Sequence, residues 1–265
     1  IEQLSKLVTE NLSIKDRGRA YTDAMEFKGG NGAFIYTYKV LSGIDEKTGM
    51  ILEIPRDESF LLSKDGHIVC VHDKKTKKVA DQNLVVVQST LSELQKLDVG
   101  LRKNKKFRGT HIPTLPQVFA TVPKGKKIFV EVKCGPEILP KLVKEIDRSG
   151  LTYDQVVLIC FNPEVIREFK KVRANHKAYW LCHFRKKKGV ISPSIKKVLQ
   201  TLKNIGADGL DSHYSIPEEY SQAVLDAGYE WHVWTVNETA LAKELKNRGV
   251  ASITTDRPKL IADNL

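Results

Sequence analysis

KKIFVEVKCGPEILPKLVKEIDRSGLTYDQVVLICFNPEVIREFKKV, residues 126–172, decides the fold. It reads as strand, helix, strand, helix. KKIFVEVKCG carries a short apolar run, the mark of a buried strand. Pro136 opens a helix that Gly150 closes. QVVLICFN is the next strand, and Asn162 with Pro163 starts the next helix. Pro or Asn at helix starts and Gly at helix ends is the expected asymmetry.

The same punctuation continues to the end of the chain. KAYWLC is a strand, and Ser192-Pro193 starts a helix ending at Gly206 after a basic loop. ADGLDSH is a strand, and Pro217 starts a helix ending at Gly228. EWHVWTVN is a strand, and Asn237 caps a helix ending at Gly249. ASITTDRP is a last short strand before a helix at Pro258. Apolar runs alternating with helices mean β-α repeats on a parallel sheet. Upstream, NLSIK, a run near residues 51–62, and HIVCV add strand candidates. Eight or nine strands predict an α/β fold of the closed (β/α)₈ TIM-barrel type rather than an open sheet.

Some segments depart from the repeat. Lys64-Asp65-Gly66 joins two early strands without a helix, which predicts a hairpin. AFIYTYKVLSG and TGMILEIP around IDEK predict another. KGGNGAF has neither the spacing nor the following helix of a phosphate loop and reads as a turn. Residues 74–127 interrupt the pattern with one good helix, TLSELQKLDVG, where Thr90 and Glu93 form a capping box. They are expected to be a small insertion covering the barrel mouth within a single domain, 1–265.

Composition narrows the class. The 265 residues suffice for a large core, and 41% apolar content is ordinary for a globular chain. No apolar run approaches the roughly 20 residues of a membrane span. Residues 1–12 read as an amphipathic helix rather than a signal peptide. The first residue is Ile, which leaves room for a removed upstream segment. Cys70, Cys134, Cys160 and Cys182 match no zinc template and read as buried thiols, which favours a reducing, cytoplasmic setting only weakly. The net charge of +11 points to an anionic partner: phosphate esters, acidic lipid or nucleic acid. Basic runs at Lys74–Lys78, Arg102–Arg108, Lys124–Lys127 and Arg185–Lys188 read singly as solvated loops. Nucleic-acid binding rests on charge alone, since no such module is present.

Barrel enzymes place their chemistry at the carboxyl ends of the strands. Those ends carry Asp16-Arg17-Gly18, the acids Glu53, Asp57 and Glu58, His72-Asp73, Glu131 and Lys133, Asn162, His183, Asp211 and His213, Trp234 and Asn237, and Asp256-Arg257. Alternation along a strand puts Glu131 and Lys133 on one face. They could pair structurally, or serve as a hard-metal ligand beside a phosphate-binding cation. His72 could donate a proton to a leaving alkoxide, with Asp73 as its partner. This set points to phosphoryl chemistry.

KDGHIVCVHD, TLSELQKLDVG, HIPTLPQVF, FVEVKCG and GVASITTDRP, in that order, resemble the glycerophosphodiester phosphodiesterases from about residue 60 to the end. The resemblance implies a (β/α)₈ barrel that cleaves glycerophosphodiesters to glycerol phosphate and an alcohol. It implies a divalent cation, Mg²⁺ or Ca²⁺, held by carboxylates, and two working histidines. His72 with Asp73 matches the family's second histidine motif, and Glu131 with Lys133 matches its Glu-x-Lys. The family's first motif, His-Arg-Gly, is Asp16-Arg17-Gly18 here. Its Glu-x-Asp metal motif, counted back from Asp65, is Asp57-Glu58-Ser59 here.

The resulting expectation assigns Asp57, Glu131 and Asp16 to the metal. His72 is the general acid, with Asp16, Arg17 and Lys133 in the catalytic set. Arg17 and Lys133 bind phosphate, and Trp234 either lines the alcohol pocket or packs in the core. The alternative is a degenerate barrel that binds a phosphodiester, a phospholipid head group or a partner without efficient turnover, because such groups act as a unit.

Overall fold

The computed structural model describes residues 41–44, 51–53, 59–102, 105–122 and 126–265. Outside this set lie the expected helix at 1–12, the NLSIK strand, the 28–34 turn, Asp16, Arg17, Gly18, Asp57 and Glu58. Glu53 lies in a strand whose side chains are not described.

The repeat read from residues 126–172 is present. Strand β5 (Lys127–Val132) leads through a single 3₁₀ turn at Pro136 into helix α3 (Leu139–Ser149), closed by Gly150 at φ 71°. Strand β6 (Val156–Cys160) leads into α4 (Pro163–Val172), where the Asn162 side chain accepts from the Glu164 N–H. Then follow β7 (Ala178–Cys182), α5 (Ile195–Ile205), β10 (Gly209–His213), α6 (Glu218–Asp226), β11 (Glu230–Trp234), α7 (Thr239–Asn247), β12 (Ser252–Thr254) and α8 (Pro258–Ala262).

Strands β5, β6, β7, β10, β11 and β12 pair in that order, all parallel. Strand β2 (Ile51–Glu53) adds in parallel to β12. Strand β1 (Leu41–Ile44) pairs antiparallel with both β2 and β5. The ladder therefore returns to its starting strand and closes a barrel, with β1–β2 as the hairpin expected around IDEK. Strands β3 (Ser59–Leu62) and β4 (Ile68–Cys70) form the second expected hairpin. β3 runs parallel to the end of β5, and β4 returns antiparallel. HIVCV is thus not a barrel stave. Its reversed direction is what brings His72 back to the carboxyl end of β5.

Two cores result. Phe129, Val157, Ile159, Tyr179 and Leu181 fill the barrel interior. A larger cluster, including Ile128, Val130, Leu142, Ile166, Leu202 and Trp231, lies between strands and helices. Residues 74–102 and 105–122 add to that shell. Helix α1 (Leu91–Gln95) has the expected Thr90/Glu93 capping box. Helix α2 (Leu115–Phe119), with its own Thr114/Gln117 box, packs on β4 and α3.

Two expected helix starts shift. The basic loop after β7 is itself a hairpin, β8 (Arg185–Lys187) and β9 (Val190–Ser192), and it absorbs Ser192. Ser194 caps α5 instead. Asn237 does not cap α7, whose first flanking residue is Glu238. Its amide is engaged with the end of β12: Nδ2 donates to Asp256 Oδ2 at 2.9 Å, and Oδ1 accepts from the Asp256 N–H at 2.8 Å.

Candidate active site

The site is built on the first two residues of β3. The Val71 N–H donates to the Ser59 carbonyl at 2.9 Å, and the Lys133 N–H donates to the Phe60 carbonyl at 3.2 Å. His72 and Lys133, 61 positions apart, thereby emerge side by side. Alternation on β5 turns Glu131 and Lys133 to the same side, as expected.

Five side chains form one polar chain. Lys133 Nζ lies 2.9 Å from Glu131 Oε1 and 3.2 Å from His72 Nε2. His72 Nδ1 lies 2.7 Å from Asp73 Oδ1, and Lys78 Nζ lies 2.8 Å from Asp73 Oδ2. The partners fix the imidazole tautomer: Nδ1–H donates to the carboxylate, and Nε2 accepts from the ammonium. Burial works to raise the Asp73 carboxyl, but the hydrogen bonds from Lys78 and His72 outweigh it and hold the group below the usual carboxylate range.

Glu131 is only 5% exposed. A buried carboxylate needs compensation. Lys133 supplies charge, and Ser59 Oγ donates to Oε2 at 3.3 Å. Ser59 stands where the resemblance expects a second carboxylate, so at this position a hydroxyl donor has replaced an acceptor.

An aromatic wall lies beside this chain. Lys133 Nζ sits 6.0 Å from the Phe161 ring centroid. Phe161 stacks on His183 with centroids 4.7 Å apart. The Trp234 ring meets His183 edge-on at 5.1 Å and His213 at 5.4 Å. Trp234 packs on the interior core and also borders this wall. Its indole Nε1 is buried with no hydrogen-bond partner among the described residues. Burial, then the cations Arg185 and Lys133, push His183 below the ordinary histidine range. Burial, then His183, does the same to His213.

The structure therefore brings His72, Asp73, Lys133 and Glu131 together, while Trp234 is one ring removed, against Phe161 and His183. Asp16, Arg17 and Asp57 lie outside the described residues. Among the described residues no group of three His, Cys, Asp or Glu could hold a metal ion. Glu131 offers one hard oxygen donor, of the kind Mg²⁺ and Ca²⁺ take. Sequence reasoning missed Phe161; its position directly after a strand was the available signal.

Residues 61–260 match the model of the glycerophosphoryl diester phosphodiesterase family. The chain belongs to that family. It is 29% identical over 210 residues to a glycerophosphodiester phosphodiesterase of Caldanaerobacter subterraneus subsp. tengcongensis, covering 76% of this chain and 81% of the relative. A glycerophosphodiester phosphodiesterase of Bacillus subtilis is 22% identical over 216 residues, 75% of this chain and 72% of the relative. Solved structures share the barrel. An Oleispira antarctica phosphodiesterase, in complex with the product sn-glycerol-3-phosphate, superposes with a TM-score of 0.69 at 22% identity, over 78% of this chain and 82% of that one. The Thermotoga maritima glycerophosphodiester phosphodiesterase gives 0.65 at 19% identity, over 92% and 94%. No helix of the described residues is long and apolar enough to cross a membrane.

Proposed function

We propose that the protein is a phosphoric diester hydrolase that cleaves glycerophosphodiesters to glycerol phosphate and an alcohol, with His72 as general acid and a divalent cation as cofactor. The observation that carries this reading is the Asp73–His72–Lys133–Glu131 chain at the carboxyl end of the barrel strands. Barrel enzymes work at that end, and the family membership supplies the substrate class.

Glu131 would hold the cation, with Asp57 and Asp16 as further oxygen ligands. When bound, Mg²⁺ or Ca²⁺ there would neutralise charge on the phosphoryl oxygens. The remaining steps belong to the chain's own groups. Lys133 turns its free donor capacity, together with Arg17, toward the phosphate anion. That movement releases His72 Nε2, which Lys133 occupies in the free enzyme. The released imidazole takes up a proton beside the phosphate, and the Asp73 carboxylate on Nδ1 stabilises the imidazolium. Water attacks phosphorus and releases one proton to solvent, the bond to the alcohol oxygen breaks, and His72, protonated from solvent beforehand, gives its Nε2 proton to that oxygen and returns to the neutral imidazole. Trp234 lines the alcohol pocket, where its buried, unpartnered Nε1–H is a ready donor. The 74–127 insertion contributes Lys78, which holds Asp73 in place.

A second reading, binding without efficient turnover, is favoured by the Ser59 hydroxyl set against Glu131 in place of a carboxylate. Hydrolysis of glycerophosphocholine with added Mg²⁺ or Ca²⁺ separates the two. Turnover that falls by about 10²–10⁴-fold in His72→Ala fits the general-acid role. Binding of the diester with no turnover in the wild type favours the second reading.

A further inference from the structure

The Arg185–Lys188 run is a built element rather than a solvated loop. Arg185 pairs with Ser192, Lys186 with Ile191 and Lys187 with Val190. Lys188 and Gly189 form the two-residue turn, at φ 48° and 82°, the backbone of a tight hairpin turn of the primed type. The four cations are therefore displayed on a fixed scaffold and need little ordering to meet a partner. All four are exposed, and Val190 beside them is 69% exposed. Among the described residues none of the four makes an ion pair, whereas other exposed cations do. Lys171 pairs with Glu168, and Lys259 with Asp263.

The hairpin stands at the barrel mouth. It begins two residues after His183, and Arg185 is close enough to disfavour protonation of that ring. The chain leaving His72, whose ring meets Lys133, presents the exposed Lys74, Lys75, Lys77 and Lys78. Two basic segments thus lie near the ends of the polar chain and its aromatic wall.

We propose that the β8–β9 hairpin is a docking element for an anionic phospholipid bilayer, setting the barrel mouth against the membrane surface. Basic side chains beside an anionic leaflet each strengthen binding about fivefold. Val190 at the turn is an apolar contact of the kind that enters the interface. Single-stranded nucleic acid fits less well. Such binders stack bases on aromatic side chains, and β8 and β9 contain none. The surface does not depend on hydrolysis, and it is testable without substrate.

Sedimentation of the full chain with vesicles tests it. Phosphatidylcholine vesicles containing roughly a third phosphatidylglycerol should bind the protein, neutral phosphatidylcholine vesicles should not, and salt should weaken the binding. The double substitution Lys186→Glu with Lys187→Glu should lower binding by at least about tenfold. Val190→Asp should also lower it, with circular dichroism unchanged in both variants. Absence of anionic-vesicle binding in the wild type overturns the proposal. So does wild-type binding by the double variant, or hairpin-dependent binding of single-stranded RNA in preference to vesicles.

Discussion

Lys133 is the residue on which the site turns. Its ammonium touches both a buried carboxylate and the imidazole. Lys133→Met should lower kcat/KM by about 100-fold or more, because a positioned cation on developing phosphate charge is lost. It should also lower Tm, because a carboxylate that is 5% exposed loses its cation. Asp73→Asn should spare KM and reduce kcat by about tenfold or more, since it removes the partner that supports the imidazolium. Steady-state kinetics separate the two. At this scale the sequence was informative where alternation forces proximity, as for Glu131 and Lys133. It was uninformative where contact depends on a neighbouring strand. The meeting of His72 Nε2 with Lys133 requires β3 to hold both backbones, and no local pattern encodes that. Asp16, Arg17 and Asp57 remain expectations drawn from the resemblance.

Asn237 shows how an element boundary can mislead. Its type and position predict a helix cap, yet its amide binds Asp256 and also accepts from Thr255 Oγ1 at 3.1 Å. It fastens β12 to the end of β11 across 19 positions. Asn237→Ala should therefore cost about 1–3 kcal/mol and lower Tm by roughly 3–10 °C. A loss confined to a few tenths of a kcal/mol, as from an exposed cap, would count against the tether. The regular β-α units downstream of residue 126 were legible because apolar runs, Pro or Asn starts and Gly ends agree there. The β8–β9 hairpin was not. A lysine run has no apolar alternation to reveal a strand, and only Lys188-Gly189 hinted at a turn. The antiparallel return of β4 was legible, because Lys64-Asp65-Gly66 joins it to β3 with no room for a crossover helix.

Across the whole molecule, histidine titration sets a pH limit. His176, His183, His213 and His232 are all held below the ordinary value of 6.5, with burial the first cause in each. The unfolded chain binds protons at these positions before the folded one does. Stability should therefore be full above about pH 6.5 and fall as pH drops below it. Asp73, held below 3.8, adds stability that is lost only at more acid pH. Urea midpoints measured between pH 7.5 and 5 should decline toward acid, and a flat profile would contradict this. The proposed reaction is phosphodiester hydrolysis at the barrel's mouth with a metal ion and His72. The direct measurement is release of glycerol phosphate from glycerophosphocholine by wild type and His72→Ala, each with Mg²⁺ or Ca²⁺ and again with a chelator. The metal-supplied wild type should turn over, His72→Ala should be slower by about 10²–10⁴-fold, and the chelator should abolish the reaction. Turnover undiminished by both the chelator and His72→Ala would contradict the proposal.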